Sequence, residues 1–253
     1  MRKHFAACDP VMAALIRAAG PYRLVPETAR SPFESLARAI THQQLNGIAA
    51  ERILGRFVAL CGNGAFPGPA AVIARPDHEL RAVGLSFAKI ASLKDLAAKT
   101  ASGIVPGSEV LAALDDDAIV ERLTRVRGIG RWTVEMLLMF QLGRPDVLPV
   151  DDFGVRNGFR LAYGLRGLPT PRALAAFGER WAPHRSAAAW YLWRAVDLAR
   201  DDRLPAPCAK PRGVRIVRKA AAGRVRRKSA AAAGRRRAPS NRAARARRGR
   251  NKR

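Results

Sequence analysis

The sequence predicts an all-α fold, with a helical body followed by a basic C-terminal tail. Through residues 10–203, apolar side chains recur at the three- and four-residue spacing of amphipathic helices. Residues that favour a helix start stand before these runs, and glycine or proline often follows them. Beyond residue 204 the chain is dominated by arginine, alanine, glycine and lysine and has no aromatic residue. We therefore expect a helical domain at 1–204 and a disordered tail at 205–253.

The positive charge of the chain is concentrated in the tail. The formal net charge of the 253 residues is +26. Residues 205–253 contain 19 of the 46 lysines and arginines and no acidic residue, whereas residues 1–204 carry 27 basic and 20 acidic residues. Both parts favour a polyanionic partner, and the tail favours sequence-independent binding that weakens with salt.

The three cysteines, Cys8, Cys61 and Cys208, are scattered, and no pair has the spacing of metal ligands. We expect no disulfide framework, no zinc or iron–sulfur site and no cofactor. No apolar run approaches the length of a membrane span, and Asp9 comes too early for the apolar region of a signal peptide. These features indicate a cytoplasmic protein.

Two helices are predicted near the N-terminus. The first lies within residues 11–19 and ends at Gly20, which proline follows. The second begins at Ser31, which forms a capping-box pattern with Glu34 and has proline at the first helical position. Its apolar residues stand at positions i, i+3, i+4 and i+7: Phe33, Leu36, Ala37 and Ile40. A polar cluster, HQQLNG at residues 42–47, follows, and such clusters are usually solvated turns.

Three further helices are predicted in the middle of the chain. One spans residues 49–60, and a Gly/Pro-rich loop follows it. The next begins around Pro76 and ends at Gly84. Ser86 caps the third, whose lysines are more typical of a solvated face than of a nucleic-acid contact. These are Lys89, Lys94 and Lys99.

A helix–turn–helix pattern occupies residues 115–140. Aspartates at 115–117 supply acceptors at the start of the first helix, whose apolar residues recur until Gly128. Gly128 and Gly130 allow a positive φ in the turn. The start of the second helix presents free N–H groups beside arginines, which predicts a site for a nucleic-acid phosphate. The apolar face of this helix is expected to contain Trp132, Met136, Met139 and Phe140.

An acidic helix start follows in LPVDDF, residues 148–153. Pro149 discourages helix at the residue before it, and either Asp151 or Asp152 can cap the next helix. A carboxylate at a helix N-terminus is favoured in its charged form and is held rigidly, which suits an anion facing a developing cation. Spacing alone does not distinguish the two aspartates.

Two more helices complete the predicted body. Thr170, followed by proline, caps the first of them. The last helix carries Trp190 and Trp193, which share a face because they lie three residues apart. Composition alone favours packing in the core for both tryptophans.

Four sequence blocks together resemble the helix-hairpin-helix DNA glycosylases, and within them the alkylbase branch of the 3-methyladenine DNA glycosylase II type. In the family's order, the blocks are FESLARAITHQQL (33–45), LRAVGLSFAKIASLKDLA (80–97), GIGRWT (128–133) and LPVDD (148–152). The resemblance covers roughly residues 10–203. It implies the helix-hairpin-helix glycosylase fold, in which two helical subdomains have a cleft between them.

The resemblance also implies an activity and assigns residues to it. It describes a repair enzyme that turns a damaged base out of duplex DNA and hydrolyses its N-glycosidic bond. It assigns catalysis to Asp152, the second acid of its motif. It makes Gln44, with Leu45 as the second choice, the side chain that fills the gap left by the flipped base. The hairpin that binds a DNA phosphate is then formed by Gly128, Ile129, Gly130 and Arg131.

An aromatic pocket for the damaged base is expected as well, with Trp132 and Trp190 lining it. In bifunctional relatives a lysine stands two residues after the second hairpin glycine, and here that residue is Trp132. We therefore expect no strand-nicking lyase step and no metal. The protein is expected to act as a monomer on double-stranded DNA containing damaged bases, in association with the nucleoid.

Three alternatives remain open at this point. The first is a glycosylase for oxidised or mismatched bases, and the second is a DNA-binding module that lacks catalysis. The third is a nucleoid-compacting protein driven by the tail. An intact Asp152 argues against the second alternative, and equal binding of undamaged duplex by the tail alone would favour the third.

Overall fold

The computed structural model describes residues 1–62, 64–209, 211 and 213–217, and residues 218–253 of the predicted tail lie outside it. In chain order the α-helices are α1 (Arg2–Cys8), α2 (Pro10–Ala19), α3 (Pro32–His42), α4 (Gly47–Cys61), α5 (Pro69–Ala74), α6 (Asp77–Ala82), α7 (Phe87–Ala101), α8 (Ser108–Ala113), α9 (Asp116–Leu123), α10 (Arg131–Phe140), α11 (Phe153–Ala162), α12 (Pro171–Gly178) and α13 (Arg185–Arg200). A 3₁₀ turn, Glu179–Trp181, lies between α12 and α13. None of these helices is long and apolar enough to cross a membrane.

The helices pack in two groups. One contains α3 to α7 together with α9 and α10, and the other contains α1, α2, α11 to α13 and the 3₁₀ turn. A single cluster of buried apolar side chains runs through both groups. The prediction of an all-α fold with two helical subdomains is therefore confirmed for the described part of the chain.

Side-chain caps fix the helix starts that the sequence predicts. Ser31 Oγ accepts the Glu34 N–H at 3.1 Å at the start of α3. Ser86 and Thr170 accept backbone N–H groups in the same way, at the starts of α7 and α12. Each cap satisfies a backbone donor that has no partner inside its helix.

One buried carboxylate, that of Asp9, joins the N-terminal helices to the end of the chain's helical body. Asp9 is 2% exposed. Its Oδ1 accepts the N–H groups of Val11 and Met12 at the start of α2. Its Oδ2 accepts the Tyr163 hydroxyl at 2.5 Å and Trp181 Nε1 at 2.9 Å. Burial, together with the neighbouring Asp9, raises the pKa of Tyr163 well above its ordinary value.

The close crossing of α11 and α13 positions the residues of the candidate site. A Cβ atom at Gly158 on α11 would lie 1.8 Å from the carbonyl oxygen of Leu192 on α13, so only glycine permits this approach. The next residue on α13, Trp193, is thereby brought to the N-terminus of α11. Asp152 lies at that N-terminus.

The structure differs from the predicted elements in two respects. The short helices α1, α5 and α8 were not predicted, since each has only six or seven residues and no side-chain cap. The second is a backbone pairing beyond the predicted domain boundary at residue 204. Pro169 and Ile216 form an antiparallel bridge, in which the Thr170 N–H donates to Arg215 and the Val217 N–H donates to Leu168. The chain after residue 204 therefore packs against the body at this point.

Candidate active site

Asp152 is the N-cap of α11, and its carboxylate accepts three hydrogen bonds. Oδ1 accepts the Val155 N–H at 2.7 Å and Trp193 Nε1 at 2.9 Å. Oδ2 accepts Trp132 Nε1 at 2.9 Å. The two indoles come from different helix groups, because Trp132 lies on α10 and Trp193 on α13. The carboxylate is therefore held at the junction of the two groups.

This arrangement favours Asp152 over Asp151, which the sequence left unresolved. Asp152 is half-buried and both of its oxygens have donors, whereas Asp151 is exposed. Hydrogen bonds from fixed donors hold an anion in one orientation before any reaction, which is how a site stabilises charge that develops in a transition state. The Asp152 carboxylate is therefore held in one orientation by donors from both helix groups.

Aromatic side chains surround this carboxylate. Trp132 is 45% exposed, and Phe140 at the other end of α10 is 41% exposed. The Phe140 ring stacks on Trp193, with centroids 5.7 Å apart. Phe153, which directly follows Asp152, is 66% exposed. Of the predicted apolar face of α10, Met139 is buried, whereas Trp132 and Phe140 are partly exposed, and the buried side consists mainly of Val134, Leu137, Leu138 and Met139.

Trp190 is expected to line the base pocket, and it is not the tryptophan of α13 that bonds to Asp152. Its ring packs edge-on against Tyr22, with centroids 5.3 Å apart, and no hydrogen bond joins it to Asp152 among the described residues. Trp193 takes that place. The sequence places both tryptophans on one face of the last helix. The spacing alone therefore does not show which of the two contacts Asp152.

The hairpin between α9 and α10 presents backbone donors to solvent. Gly128 has φ +77°, a left-handed conformation that favours glycine, whereas Gly130 has φ −98° and is the N-cap of α10. Gly128, Gly130 and Arg131 are exposed. Among the described residues, no acceptor is found for the N–H groups of Gly130 and Arg131. These groups are available to an anion at the helix N-terminus.

Ile129 does not fit the expectation that it contributes a donor to the ligand. Its side chain is 4% exposed and belongs to the apolar core. Its N–H donates to the Val126 carbonyl at 3.1 Å, inside the turn. Ile129 therefore anchors the hairpin, and the N–H groups on either side of it face outward.

Side chains of α7 form hydrogen bonds with the backbone of the hairpin. Asp95 Oδ2 accepts the Arg127 N–H at 2.7 Å, and Lys99 Nζ donates to the Arg125 carbonyl at 2.6 Å. Burial alone would raise the pKa of Asp95, but the bonds from Arg127 and Lys99 hold it below its ordinary value. The other two lysines of α7 also have partners, since Lys89 donates to a carbonyl of α3 and Lys94 pairs with Asp77. The sequence suggested a solvated face for these lysines, but each of them has a hydrogen-bond partner.

The loop between α3 and α4 carries the residues expected to fill the gap in DNA. Gln44 has φ +58°, which is uncommon for a residue other than glycine, and its side chain is exposed. Leu45 is 40% exposed. Asn46 Oδ1 accepts the Ala49 N–H and so starts α4. Gln43 Nε2 donates to the Gly128 carbonyl at 2.9 Å, which joins this loop to the hairpin.

A buried acid lies directly behind the hairpin. Glu135 is 5% exposed and accepts a hydrogen bond from Arg131 Nε at 3.1 Å. Burial raises the pKa of Glu135 to about 7, although Arg131 opposes this shift and the charges of Asp151 and Asp152 add to it. Sequence reasoning did not single out Glu135, because an acid inside a helix is usually solvated.

Within the part of the chain that the structure describes, no group of three His, Cys, Asp or Glu side chains could hold a metal ion. The residues around Asp152 are aromatic and the donors on its oxygens are N–H groups, so the site is built from carboxylate, indole and backbone chemistry.

Comparison with known proteins gives consistent matches. Residues 37–184 match the HhH-GPD superfamily of base excision DNA repair proteins. DNA-3-methyladenine glycosylase 1 of Schizosaccharomyces pombe is 42% identical over 199 residues, which are 78% of this chain and 86% of that protein. Alkylbase DNA glycosidase-like protein mag2 of the same yeast is 30% identical, over 78% of this chain and 93% of that protein.

Two solved structures are similar to the chain. The S. pombe 3-methyladenine DNA glycosylase Mag1, in complex with abasic DNA, has a TM-score of 0.72 and 42% identity, and the match covers 78% of this chain and 97% of that one. The DNA-3-methyladenine glycosidase of Bacillus halodurans has a TM-score of 0.71 and 36% identity, and the match covers 79% of this chain and 91% of that one.

Proposed function

The chain belongs to the HhH-GPD superfamily of base excision DNA repair proteins, and we propose that it removes alkylated purines from DNA with Asp152 as its catalytic carboxylate. It is a DNA glycosylase of the alkylbase branch, whose relatives bear the name DNA-3-methyladenine glycosylase. The observation that supports Asp152 is the set of three donors on its carboxylate, two of them indoles at the junction of the helix groups.

The reaction is hydrolysis of the N-glycosidic bond between the deoxyribose and the damaged base. As this bond breaks, the sugar ring gains oxocarbenium character, and a negative charge beside it lowers the energy of that state. Asp152 supplies the charge and can direct a water molecule to the anomeric carbon. An alkylated purine is already a cation, so its departure as a neutral base requires little help from an acid.

The nucleotide must first leave the duplex, at a cost of a few kcal/mol that is lowest for a poorly paired base. We propose that the hairpin holds a phosphate of the damaged strand through the N–H groups of Gly128, Gly130 and Arg131. Gln44 then fills the vacated space, and Leu45 lies beside it. The exposure of both side chains and the free donors at the start of α10 support these roles.

The pocket for the base is proposed to be aromatic. Trp132, Trp193 and Phe140 lie around Asp152, and Trp190 with Tyr22 extends the aromatic cluster along α13. An aromatic face attracts a cation through its quadrupole, which favours an alkylated purine over a neutral one. Trp193 is added here to the residues that the sequence predicts.

We further propose that the enzyme has no lyase activity. A lyase step needs an amine that attacks the anomeric carbon. The corresponding side chain here is the Trp132 indole, whose N–H donates to Asp152 and is not nucleophilic. No cofactor and no metal are required for this hydrolysis, and the chain is proposed to act as a monomer.

The basic tail is proposed to add sequence-independent affinity for DNA and so to keep the enzyme at the nucleoid. Its 19 lysines and arginines without an acid would release counterions from the DNA backbone on binding. The tail from residue 218 onward lies outside the described residues, and its role stands on composition alone.

The function is tested by base release from methylated duplex DNA. The wild type should release alkylated purines, and Asp152→Asn should lower the single-turnover rate by about a hundredfold or more. Asparagine still accepts the Val155 N–H, so α11 should remain intact and the hairpin should still bind DNA, while the Trp132 indole loses its acceptor. Chromatography of the released bases and a binding titration measure the two effects.

The matched control is Asp151→Asn, which removes the same charge from the exposed neighbouring residue. Its rate should stay close to that of the wild type. Equal base release by the wild type and Asp152→Asn would reject the catalytic assignment. Release of only oxidised or mismatched bases from suitable duplexes would reject the alkylpurine substrate instead.

A further inference from the structure

Gln43 connects the two loops that are proposed to act on the same nucleotide. Its side chain leaves the loop between α3 and α4, and Nε2 donates to the Gly128 carbonyl at 2.9 Å. The residues are 85 positions apart in the chain. The bond therefore spans from the gap-filling loop to the phosphate-binding hairpin.

The peptide group that accepts this bond is fixed on both sides. Its carbonyl belongs to Gly128 and accepts Gln43, while its N–H belongs to Ile129 and donates to Val126. A peptide group is planar, so fixing both of its polar atoms fixes the orientation of the plane. This fixed peptide group lies between the N–H groups of Gly128 and Gly130, for which no acceptor is found among the described residues.

The conformation of Gln44 is also explained by its neighbours. A left-handed backbone is unfavourable for a residue other than glycine, so it persists only where the surroundings impose it. On the N-terminal side, His42 bonds to the Arg38 carbonyl and to Glu51. On the C-terminal side, Asn46 caps α4. Gln43 supplies the third constraint, and it is the one that connects this loop to the hairpin.

Helix α7 contacts both the end of α3 and the hairpin. Lys89 Nζ donates to the Thr41 carbonyl at 2.7 Å, at the end of α3. Asp95 and Lys99 hold the backbone of the hairpin. Asp95 and Lys99 are four residues apart and so lie on the same side of α7, and Lys89 stands nearer the start of the same helix. The loop between α3 and α4 and the hairpin therefore contact each other through Gln43, and α7 contacts both the hairpin and the end of α3, where this loop begins.

We propose that Gln43 is a positioning residue, which sets the place of Gln44 relative to the phosphate held by the hairpin. When the phosphate of a flipped nucleotide is bound, the gap in the base stack lies at a defined distance from that phosphate. A side chain held at another distance contributes little binding energy. Gln43 itself contacts no DNA in this role. The inference rests on the proposed role of Gln44 as the gap-filling residue.

The test is a double-mutant cycle with Gln43→Met and Gln44→Ala, since methionine keeps the length of the glutamine side chain but donates no hydrogen bond. Binding is measured to a duplex with a tetrahydrofuran abasic-site analogue and to an undamaged duplex of the same sequence. Gln43→Met should weaken binding to the abasic duplex by about fivefold, which corresponds to about 1 kcal/mol. Binding to the undamaged duplex should stay within twofold or so of the wild type.

Coupling between the two residues decides the proposal. With Gln44 already replaced by alanine, the Gln43→Met change should have almost no further effect, because there is no longer a side chain to position. If the double variant loses the full product of the two single effects, Gln43 acts independently and the proposal is overturned. It is also overturned if Gln44→Ala leaves the preference for the abasic duplex unchanged.

Arg122→Met is the matched control. Arg122 donates to the carbonyls of Gly103 and Ile104, a tie of the same kind that touches neither loop. It should leave the preference for the abasic duplex unchanged, and thermal melting should show all variants folded. Base release by the wild type from methylated DNA is measured in parallel, so failure of the glycosylase function can be told apart from failure of the positioning role.

Discussion

The orientation of the Asp152 carboxylate depends on a residue that has no side chain, Gly154. The Trp193 indole lies against Gly154, and a Cβ atom there would be 2.8 Å from Trp193 Cδ1 and 3.1 Å from Asp152 Oδ1. These distances are too short for carbon contacts, so the indole would have to move. Its hydrogen bond to Asp152 would then be lost.

Gly154→Ala is therefore expected to lower base release more than it changes stability. Alanine is the better helix former by up to about 1 kcal/mol, which offsets part of the cost of moving the indole. Base release should fall by about tenfold or more, because a hydrogen bond to the charged carboxylate is lost. Single-turnover kinetics and thermal melting measure the two effects separately.

Gly55→Ala on α4 is the control for this substitution, since no atom lies within 4 Å of the added Cβ. It should stabilise the protein without changing the rate. A Gly154→Ala variant with the wild-type rate would show that the Trp193 bond to Asp152 is not needed for base release.

The residues of the site were only partly predictable from the sequence. Asp152 follows from the cap pattern together with the family's motif, and the structure places donors on it that a linear pattern does not contain. Trp193 and Trp190 are equivalent in spacing, and what separates them is the crossing of α11 and α13. That crossing depends on the approach of Gly158 to Leu192, which is a contact between segments distant in the chain.

At the level of the element, α10 contains an unusual feature, a buried glutamate on its packed side. Glu135 has its pKa raised to about 7 by burial, although Arg131 opposes the shift. Between pH 4.5 and 7 the folded state holds a proton that the unfolded state has released. The stability of the wild type therefore falls as the pH rises through this window, and above pH 7 the loss is complete.

Glu135→Gln should remove this pH dependence. The variant should gain stability relative to the wild type as the pH rises from 5 to 8, by about 3 kcal/mol at most, since each pKa unit corresponds to about 1.4 kcal/mol. Urea unfolding at several pH values measures the difference. The exposed Glu121 on α9 gives the matched control, because Glu121→Gln should show no such trend. A constant difference between the Glu135 variant and the wild type at all pH values would contradict the burial argument.

The helices themselves were predicted where a cap and a periodic apolar run coincide, as at Ser31, Ser86 and Thr170. The hairpin was predicted at its correct place, but the direction of each N–H was not. Ile129 shows the reason, because a β-branched residue between two glycines gives no indication that it is anchored in the core. Only the packing of the hairpin against α7 decides which amides face outward.

At the scale of the whole molecule, Asp9 links segments that are 172 residues apart in the chain. Its carboxylate accepts four hydrogen bonds while almost fully buried. Asp9→Asn would turn one of the two oxygens into an amide N–H₂ group. That group cannot accept from the Trp181 indole or from the backbone N–H groups at the start of α2. One buried donor would lose its partner, and the remaining bonds would lose their charge assistance.

Asp9→Asn should therefore lower the free energy of unfolding by about 3 kcal/mol, because two charge-assisted bonds and the burial of an unpaired donor are involved. Tyr163→Phe removes a single bond from the same carboxylate and should cost about half as much. Urea unfolding measures both. Base release per folded molecule should stay unchanged in both variants at low temperature. If Asp9→Asn lowered the free energy of unfolding as little as Tyr163→Phe does, the role of Asp9 as the central link would be contradicted.

The two helix groups were predicted through the family resemblance, since periodicity alone gives helices and not their arrangement. The link through Asp9 was not predicted, because its partners Tyr163 and Trp181 have no sequence relationship to it. The pairing beyond the predicted boundary at residue 204 was missed for a similar reason. Composition changes there, but a short antiparallel pairing at Pro169 and Ile216 holds the chain beyond it.

The two indole donors on Asp152 also give the protein an intrinsic optical probe. The chain has four tryptophans, and Trp132 and Trp193 share one carboxylate as the acceptor of their N–H groups. Indole emission shifts in colour and intensity with the polarity and charge around the ring, so a base entering between these rings should change the spectrum without any added dye. Trp181, fully buried in another part of the fold, provides a steady background signal. Entry of the base can therefore be followed in real time by the fluorescence of the side chains that hold the carboxylate.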